Sequence, residues 1–329
     1  MRDRAARAFK TCVTVAFLCW PLAVNPASAQ GTRITLGYSS ADATYGPWFY
    51  GQEKGYFQKH GFESTLVFFD SGTKGVQGLI GGAVDICAAD AQAVMNAKLG
   101  GADVVFIAAT LGVLSGNVYA GKDITDPAQI KGKKWAISSF GSEAQLAALM
   151  ALKSFGIDAT DVTLVQVGNQ GNRLAALEAG QVQATTLLPP ITAKAEAMGF
   201  RKLAQLPDLA PNYFSLGAAV TSETLQKRRE VLKRFLEALA DATAAYKKDR
   251  AGGTTAIQKF LKADEKDAAV AWDYFAPLEP ADLRPAQDSF KTHLENSSDP
   301  KAKTATTADF VDLSLLDELD KAGFFKTLN

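Results

Sequence analysis

The chain has 329 residues, of which 47% are hydrophobic and 21% are charged. This composition supports a sizeable buried core and excludes an extensively disordered chain. Basic and acidic residues balance at 35 each, so the formal net charge is zero. Because a nucleic-acid-binding surface needs an excess of basic residues, we expect no nucleic-acid partner. The length suits two domains of ordinary size.

Residues 1–29 have the pattern of a secretory signal peptide. A basic start precedes the short apolar segment Cys12–Leu22, and small residues at 27–29 supply a cleavage site. The apolar segment is too short to cross a bilayer comfortably, although an uncleaved anchor is the alternative. We therefore expect a mature chain that begins at Gln30 and is exported to the periplasm.

Strands and helices alternate in the part of the chain that follows. The predicted strands are Ile34–Tyr38, Thr65–Phe69 and Val84–Ala88, and helices at about Pro47–Lys59 and Lys74–Ile80 lie between them. Strands separated by helices indicate βαβ units and a parallel sheet. In such a sheet the ligand lies beyond the carboxyl ends of the strands, against the helix N-termini.

A similar arrangement recurs farther along the chain. The strand that ends at Ile137 leads into two serines, as does the strand that ends at Tyr38, and the segment Leu177–Val182 matches Leu79–Val84. Convergence of two separate βαβ units would explain the match equally well. Either origin predicts two similar α/β lobes, with a binding cleft between them.

Two crossings between the lobes are predicted. Residues Leu111–Asn117 form the first crossing, and Pro207–Pro211 form the return. We therefore expect lobe 1 to comprise residues 30–117 and 211–329, and lobe 2 to comprise residues 118–210.

The chain becomes helical after the return crossing, and this tail is expected to pack on the back of lobe 1. A polar residue, Ser222, is predicted to cap the first and longest helix of the tail. The predicted helices of the tail are Ser222–Tyr246, Thr255–Leu261, Glu265–Phe275, Ala286–Leu294 and Ala308–Lys321.

The sequence contains no recognisable catalytic or metal-binding motif. Its only histidines, His60 and His293, are expected at the surface, and HExxH, CxxC and GxSxG patterns do not occur. After removal of the signal, Cys87 is the only cysteine, so an internal disulfide is impossible and an inert core position is expected. We predict no catalytic residue, no metal, no cofactor and no enzymatic activity.

Small polar residues collect instead at the predicted strand-to-helix junctions. Each one alone could simply cap a helix, but together they indicate donors for a small polar ligand in the cleft. Three aromatic residues in the set could stack on such a ligand, although Trp48 could equally belong to the core. The predicted ligand-binding residues are Ser39, Ser40, Tyr45, Trp48, Asp70, Ser71, Gly72, Thr73, Asp90, Asn117, Ser138, Ser139, Phe140, Asn169 and Pro189.

The acidic residues at the junctions of the first lobe have two interpretations. Asp42, Asp70 and Asp90 are expected to cap helices, but any one of them could bind an amine or a hydroxyl group.

Several short segments resemble those of the NMT1/THI5-like substrate-binding proteins, which are relatives of the nitrate, sulfonate and taurine receptors of ABC importers. Gly46–Phe57 resembles the family segment A-x-E-K-G-Y-F, and Leu79–Asp85 resembles L-x-x-G-x-V-D. Lys131–Ile137 resembles L-K-G-K-K-I-A-V, and Leu174–Val182 resembles L-A-A-L-x-A-G-x-V.

This resemblance implies a two-lobed α/β periplasmic-binding-protein fold of type II. Each lobe would be a mainly parallel sheet flanked by helices, joined by a two-segment hinge that closes on a small solute. The resemblance also implies an ABC permease of the inner membrane as partner, and we expect a monomer.

The solute is expected to be a small organic anion, such as a sulfonate or an aromatic or carboxylic acid. Backbone N–H groups at the Ser39–Ser40, Gly72–Thr73 and Ser138–Ser139 junctions would hold its acidic group. Two alternatives remain open, namely a periplasmic sensor of the same fold and a pyrimidine-precursor binding or biosynthetic protein of the thiamine pathway.

Overall fold

The computed structural model describes residues 31–210 and 213–328. The predicted signal peptide and residue 211 of the predicted return crossing lie outside these residues. The strands are β1 (Thr32–Tyr38), β2 (Phe62–Phe68), β3 (Ile86–Asp90), β4 (Val104–Leu111), β5 (Asn117–Ala120), β6 (Lys134–Ile137), β7 (Thr163–Gln166), β8 (Ala184–Leu187), β9 (Arg201–Gln205) and β10 (Leu216–Thr221).

The helices flank these strands and continue into the C-terminal part of the chain. They are α1 (Gly46–Glu53), α2 (Tyr56–Lys59), α3 (Gly72–Ile80), α4 (Ala91–Leu99), α5 (Glu143–Ser154), α6 (Gln170–Glu178), α7 (Ile191–Ala197), α8 (Ser222–Lys227), α9 (Arg229–Lys248), α10 (Arg250–Leu261), α11 (Glu265–Phe275), α12 (Lys291–Glu295) and α13 (Ser314–Lys321).

The first sheet has the strand order β2-β1-β3-β10-β4. β1 pairs in parallel with β2 and β3, whereas β10 runs antiparallel to β3 and β4. Tyr38 pairs with Phe68 and with Ala88, so the carboxyl ends of the parallel strands meet at one edge of the sheet. The N-terminal end of the antiparallel β10 lies at that same edge, because Leu216 pairs with Asp90.

The second sheet repeats this arrangement, with the order β7-β6-β8-β5-β9. β6 pairs in parallel with β7 and β8, and β5 runs antiparallel to β8 and β9. Two mainly parallel sheets, each flanked by helices, confirm the predicted two-lobed α/β fold. We use lobe 1 for the first sheet with its helices and lobe 2 for the second.

Two long helices predicted from the sequence are each broken in the structure. The segment Pro47–Lys59 divides into α1 and α2, because Gly55 adopts a left-handed conformation with φ of 73°. Glycine alone takes this conformation without a steric cost to a side chain. The segment Ser222–Tyr246 divides at Arg228, and the side chain of Thr221, rather than that of Ser222, caps its first helix.

The tail packs against the first sheet. Its apolar residues Leu232, Leu315 and Leu319 share one buried cluster with Ile34 and Leu36 of β1. Two predicted tail helices begin late, since α12 starts only at residue 291 and α13 only at residue 314. Turns and short 3-10 segments occupy the residues before them.

The structure corrects the predicted environment of one histidine. His293 is fully buried, with Nδ1 2.9 Å from Gln92 Oε1 and Nε2 2.8 Å from the Phe214 carbonyl oxygen. Burial disfavours the charged ring and lowers the pKa of His293 to about 4. The polar residues around it in sequence predicted a surface position, but the ring packs against Tyr213.

Cys87 and His60 lie in different settings. Cys87 is fully buried in β3, and burial raises the pKa of its thiol, so it is a core residue as predicted. His60 is partly buried beside α9, with its Nε2 2.7 Å from Asp241 Oδ2.

We predict that Phe235→Ala lowers the free energy of unfolding by about 3 kcal/mol or more, the usual cost of deleting a buried aromatic ring. Phe235 is fully buried and lies between Trp48 and Phe57, with ring-centroid distances of 5.5 and 5.9 Å. Urea unfolding measures this change. Val270→Ala, at a half-exposed position of α11, is the control and should change stability by less than about 1 kcal/mol. Equal losses in the two variants would contradict this assignment of the core.

Candidate functional site

A cavity of about 80 Å³ lies between the two sheets, where the carboxyl ends of their parallel strands face each other. Residues from both lobes line it. Of the residues predicted from the sequence, those that line the cavity are Ser39, Ser40, Tyr45, Asp70, Gly72, Asp90, Ser138 and Asn169.

Seven of the predicted ligand-binding residues do not line the cavity. For one of them, Trp48, the structure corrects the prediction. Its ring is fully buried against Phe235 in the core of lobe 1, so it cannot contact a ligand in the cleft. α1 packs against α9, which places the Trp48 ring beside Phe235. The other six are Ser71, Thr73, Asn117, Ser139, Phe140 and Pro189.

Several of these six residues have a structural role near the cavity. Ser71 caps α3 by accepting a hydrogen bond from the Lys74 backbone N–H at 3.4 Å. Ser139 donates to Thr73 Oγ1 at 3.0 Å, and Thr73 donates to the Phe140 carbonyl at 3.1 Å. These last two bonds join lobe 1 to lobe 2 at the rim of the cleft.

Other hydrogen bonds also cross between the lobes. The Asn96 amide donates to the Gly141 carbonyl at 3.0 Å, and the Ala43 backbone N–H donates to the Pro189 carbonyl at 3.3 Å. Closer to the cavity, Gln170 donates to Asp42 Oδ2 at 2.9 Å. With bonds on several sides of the cleft, the structure represents a closed arrangement of the lobes.

Residues that line the cavity are fixed by helix capping. Asp90 accepts the Ala93 backbone N–H at 2.7 Å and caps α4, while Asn169 accepts the Asn172 backbone N–H at 3.1 Å and caps α6. The sequence predicts that residues at these junctions cap helices or contact a ligand in the cleft. Asp90 and Asn169 cap a helix and also line the cavity. A cap holds its side chain in one orientation, which preorganises the wall of the cavity.

Arg173 is the buried cation of the site. It is 3% exposed, and its Nη1 and Nη2 donate to the carbonyls of Gly168 and Thr186 at 2.9 and 3.1 Å. Burial lowers the pKa of Arg173 to about 10, and the nearby Asp42 carboxylate partly offsets this effect. The guanidinium therefore remains charged at neutral pH.

Asp42 is a buried carboxylate with several donors. It accepts from the Thr44 backbone N–H at 3.0 Å, from the Thr44 hydroxyl and from Gln170 at 2.9 Å. Burial raises the pKa of Asp42, while hydrogen bonds from Ser40 and Thr44 and the charge of Arg173 lower it. Asp42 in lobe 1 and Arg173 in lobe 2 thus carry opposite charges on the two sides of the cleft and attract each other.

Two further carboxyl groups meet across the cleft. The backbone N–H of Glu143 in lobe 2 lies near the Asp90 carboxylate in lobe 1 and lowers its pKa, and the side chain of Glu143 accepts from Ser215 Oγ at 2.9 Å. Burial raises the pKa of Asp90 to about 6. Burial, together with the nearby Asp90 charge, raises the pKa of Glu143 well above its usual range.

Several cavity residues are absent from the predicted ligand-binding set. Glu143 and Arg173 lie within helices after the predicted junctions, and Ser115 lies in the crossing before β5. Ser215 reaches the cavity because it precedes the antiparallel strand β10, whose N-terminal end faces the cleft. A search limited to residues that follow strands omits positions that precede an antiparallel one.

The described residues contain neither a candidate metal-binding cluster nor a helix suited to span a membrane. They contain no group of three or more His, Cys, Asp or Glu side chains placed to hold a metal ion. Within the same residues, no helix combines the length and the apolar character needed to span a bilayer.

Two lobes that enclose a polar cavity at their strand ends define the periplasmic-binding-protein class of fold. The structure superposes on that of a protein from Bordetella bronchiseptica RB50 with a TM-score of 0.78, at 17% identity, covering 89% of this chain and 98% of the other. It also superposes on the periplasmic nitrate-binding protein NrtA from Synechocystis PCC 6803, with a TM-score of 0.75, 13% identity and 89% coverage of each chain.

The chain belongs to the NMT1/THI5-like family, whose sequence profile matches residues 43–251. This finding confirms the resemblance described above. A protein of Brucella abortus (strain 2308), named only as a candidate binding protein, is 25% identical over 216 residues. That match covers 65% of this chain and 66% of the relative, so it spans just under two thirds of the relative's length.

We predict that Asp90→Asn raises thermal stability more at pH 7 than at pH 4. The raised folded-state pKa of about 6 means that folded protein binds more protons than unfolded protein between about pH 4 and 6. Stability from this group is therefore present at low pH and lost as pH rises through about 6. Asparagine keeps the helix cap and removes the charge.

Melting temperatures of both proteins at the two pH values measure this effect. Glu178→Gln, on the exposed surface of α6, serves as the control for the loss of one negative charge. The same difference between Asp90→Asn and the original chain at both pH values would contradict the raised pKa.

Proposed function

We propose that this protein is the solute-binding component of an ABC importer, which captures a small organic solute between its lobes and delivers it to a membrane permease. The observation that carries this proposal is the closed cavity, lined from both lobes by polar side chains at the strand ends. Membership of the NMT1/THI5-like family and the fold shared with a periplasmic nitrate-binding protein support it. The protein would act in the periplasm as a monomer and without chemical conversion of the solute.

The size of the cavity supports a small solute. One water molecule needs roughly 10–15 Å³ of a cavity measured in this way. The volume of about 80 Å³ therefore corresponds to a handful of water molecules, or to an organic molecule of a few non-hydrogen atoms. Apolar side chains such as Leu114, Leu188 and Leu206 cover part of the wall and would contact the carbon atoms of the solute.

Capture would proceed by closure of the lobes over the solute. The crossing between β4 and β5 and the return crossing after β9 would act as the two hinge segments. In the closed form, the bonds from Gln170 to Asp42 and from Ser215 to Glu143 hold the lobes together. Closure removes water from the cavity and strengthens each polar contact made inside it.

The proposed solute carries an acidic group, and Arg173 would be its main partner. The sequence predicts that backbone N–H groups at three junctions hold this group. One of them, the Ser39 backbone N–H, already donates to the Tyr45 hydroxyl at 3.3 Å. Arg173 retains one buried donor, Nε, with no hydrogen-bond partner among the described residues, and it lines the cavity. A charge-assisted bond to this atom would fix an acidic oxygen.

A thermal-shift screen tests this proposed function. Sulfonates, carboxylates, aromatic acids, nitrate and pyrimidines form the panel, and we expect at least one class to raise the melting temperature. A solute present at 100 times its dissociation constant stabilises the folded state by about 2.7 kcal/mol. Failure of every class to shift the melting temperature, or turnover of a solute by the purified protein, would contradict the proposal.

We predict that the double substitution Ser39→Ala and Ser138→Ala weakens binding of the solute found in that screen by roughly tenfold, about 1.4 kcal/mol. The two serines line the cavity from opposite lobes. Isothermal titration calorimetry measures the affinity. Ser154→Ala, at an exposed position near the end of α5, is the matched control and should leave it unchanged. Unchanged affinity in the double variant would remove these junctions from the site.

A further inference from the structure

The charged side chains of the cavity do not balance. Asp70 forms an ion pair with Lys74 at 2.8 Å, and the charge of Arg173 offsets part of the cost of burying Asp42. Asp90 and Glu143 also line the cavity, but neither forms an ion pair with a basic side chain among the described residues. The closed cleft therefore holds two carboxyl groups, one from each lobe, without a compensating cation.

The geometry fixes both groups in place. Asp90 accepts the Ala93 backbone N–H at 2.7 Å, and the Glu143 backbone N–H lies near its carboxylate. It also packs directly on Gly72, where an added Cβ would overlap its carboxylate. Both carboxylate oxygens of Glu143 lie near the Ser215 hydroxyl, at 2.9 and 3.0 Å. Neither side chain can swing out to solvent without breaking these contacts.

Two buried carboxylates close together repel each other. Burial raises the pKa of both groups, and the nearby Asp90 charge raises the pKa of Glu143 further, so the structure disfavours their ionised forms. A positively charged group placed between them would offset the repulsion, as an opposite charge within about 4–6 Å favours the ionised form. Binding of such a ligand would then offset the free-energy cost of burying the two carboxylates without a cation.

A second observation points to a ligand in the same cavity. The Ser115 hydroxyl is 1% exposed, lines the cavity and has no hydrogen-bond partner among the described residues. Arg173 Nε is likewise buried without a partner there. Buried donors are normally satisfied, so both atoms lack an acceptor that a ligand would supply. Both residues lie near the C-terminal end of β8. Arg173 donates to the Thr186 carbonyl. Gly116, the residue after Ser115, is so close to β8 that a Cβ added to it would lie 2.8 Å from the Leu187 carbonyl oxygen.

We propose that Asp90 and Glu143 form an ammonium-binding subsite that closes from both lobes around a positively charged nitrogen of the solute. An acidic oxygen of the same solute would accept hydrogen bonds from Arg173 Nε and Ser115 Oγ. The solute is thus a small zwitterion in which a positive nitrogen and an acidic group are joined by a short carbon chain. This inference rests on the proposed function and specifies the chemical class of its solute.

Calorimetric titration with matched pairs of small acids tests the subsite. The members of each pair differ only by an ammonium group in place of a methyl group: glycine and propionate, β-alanine and butyrate, γ-aminobutyrate and valerate, and taurine and propanesulfonate. We expect the ammonium member of at least one pair to bind at least tenfold more tightly. Equal affinity within every pair, or tighter binding of the methyl members, would overturn the proposal.

Variants of the two carboxyl groups provide a second measurement. Glu143→Gln and Asp90→Asn keep the size of each side chain and remove its charge. Each should weaken binding of the ammonium member at least tenfold while changing the affinity for its methyl partner less than threefold. The unliganded variants should melt at or above the temperature of the original chain, which shows that they fold. The control Glu178→Gln, on the exposed surface of α6, should leave both affinities unchanged.

Failure of the subsite can be distinguished from failure of the proposed function. If the wider thermal-shift panel yields a solute that binds without a positive nitrogen, and no ammonium compound binds, the subsite is wrong and the proposed function stands. If no solute in either set binds, both are wrong. Loss of the affinity difference between paired solutes in Glu143→Gln, with binding of the methyl member intact, supports both.

Discussion

Gln170 makes the contact on which the closed cleft most depends. It is fully buried, its amide nitrogen donates to Asp42 Oδ2 at 2.9 Å, and its amide oxygen accepts the Leu188 backbone N–H at 2.6 Å. One side chain thus joins lobe 2 to a carboxylate of lobe 1 and also fixes the loop after β8. Loss of one of these partners would leave the buried amide unsatisfied, which costs about 1–3 kcal/mol. The two bonds therefore hold the lobes in one relative position.

The position of the cavity follows from the topology of the two sheets. Parallel strands direct their carboxyl ends and the following helix N-termini to one edge, where backbone donors and short polar side chains collect. Each sheet also contains an antiparallel strand, β10 or β5, which brings residues that precede a strand to the same edge. Ser215 and Ser115 reach the cavity from such positions. The two edges face each other and supply a polar lining without any catalytic constellation.

The electrostatics of the cavity combine compensated and uncompensated charges. The charge of Arg173 offsets part of the cost of burying Asp42, whereas Asp90 and Glu143 form no ion pair with a basic side chain among the described residues. Such an imbalance penalises the empty closed form, and a positively charged ligand would remove this penalty. Ligand and closure then stabilise each other, which is the energetic basis of capture by two lobes.

The strands and lobes were predictable from the sequence because they depend on local patterns. Apolar runs such as Ile34–Tyr38 and the short polar residues after them report burial and capping within a few positions, and Asp90 and Asn169 line the cavity. The burial of Trp48 in the core was not predictable, because α1 has apolar residues on every side. The packing of α1 against α9 decides which side faces the core. The pairing of Glu143 with Asp90 depends on how two distant lobes meet, and no local pattern encodes that contact.

The central claim is that the lobes close on a solute held between them. Spin labels at Gln77→Cys on α3 and Lys153→Cys on α5, in a chain that begins at Gln30, report the distance between the lobes. Both positions are exposed, and the native Cys87 is buried. Pulsed electron–electron double resonance should show a longer or broader distance distribution without solute. Once a binding solute is added, the distribution should become shorter and narrower. An identical distance distribution in the two samples, with binding confirmed by calorimetry, would contradict the account.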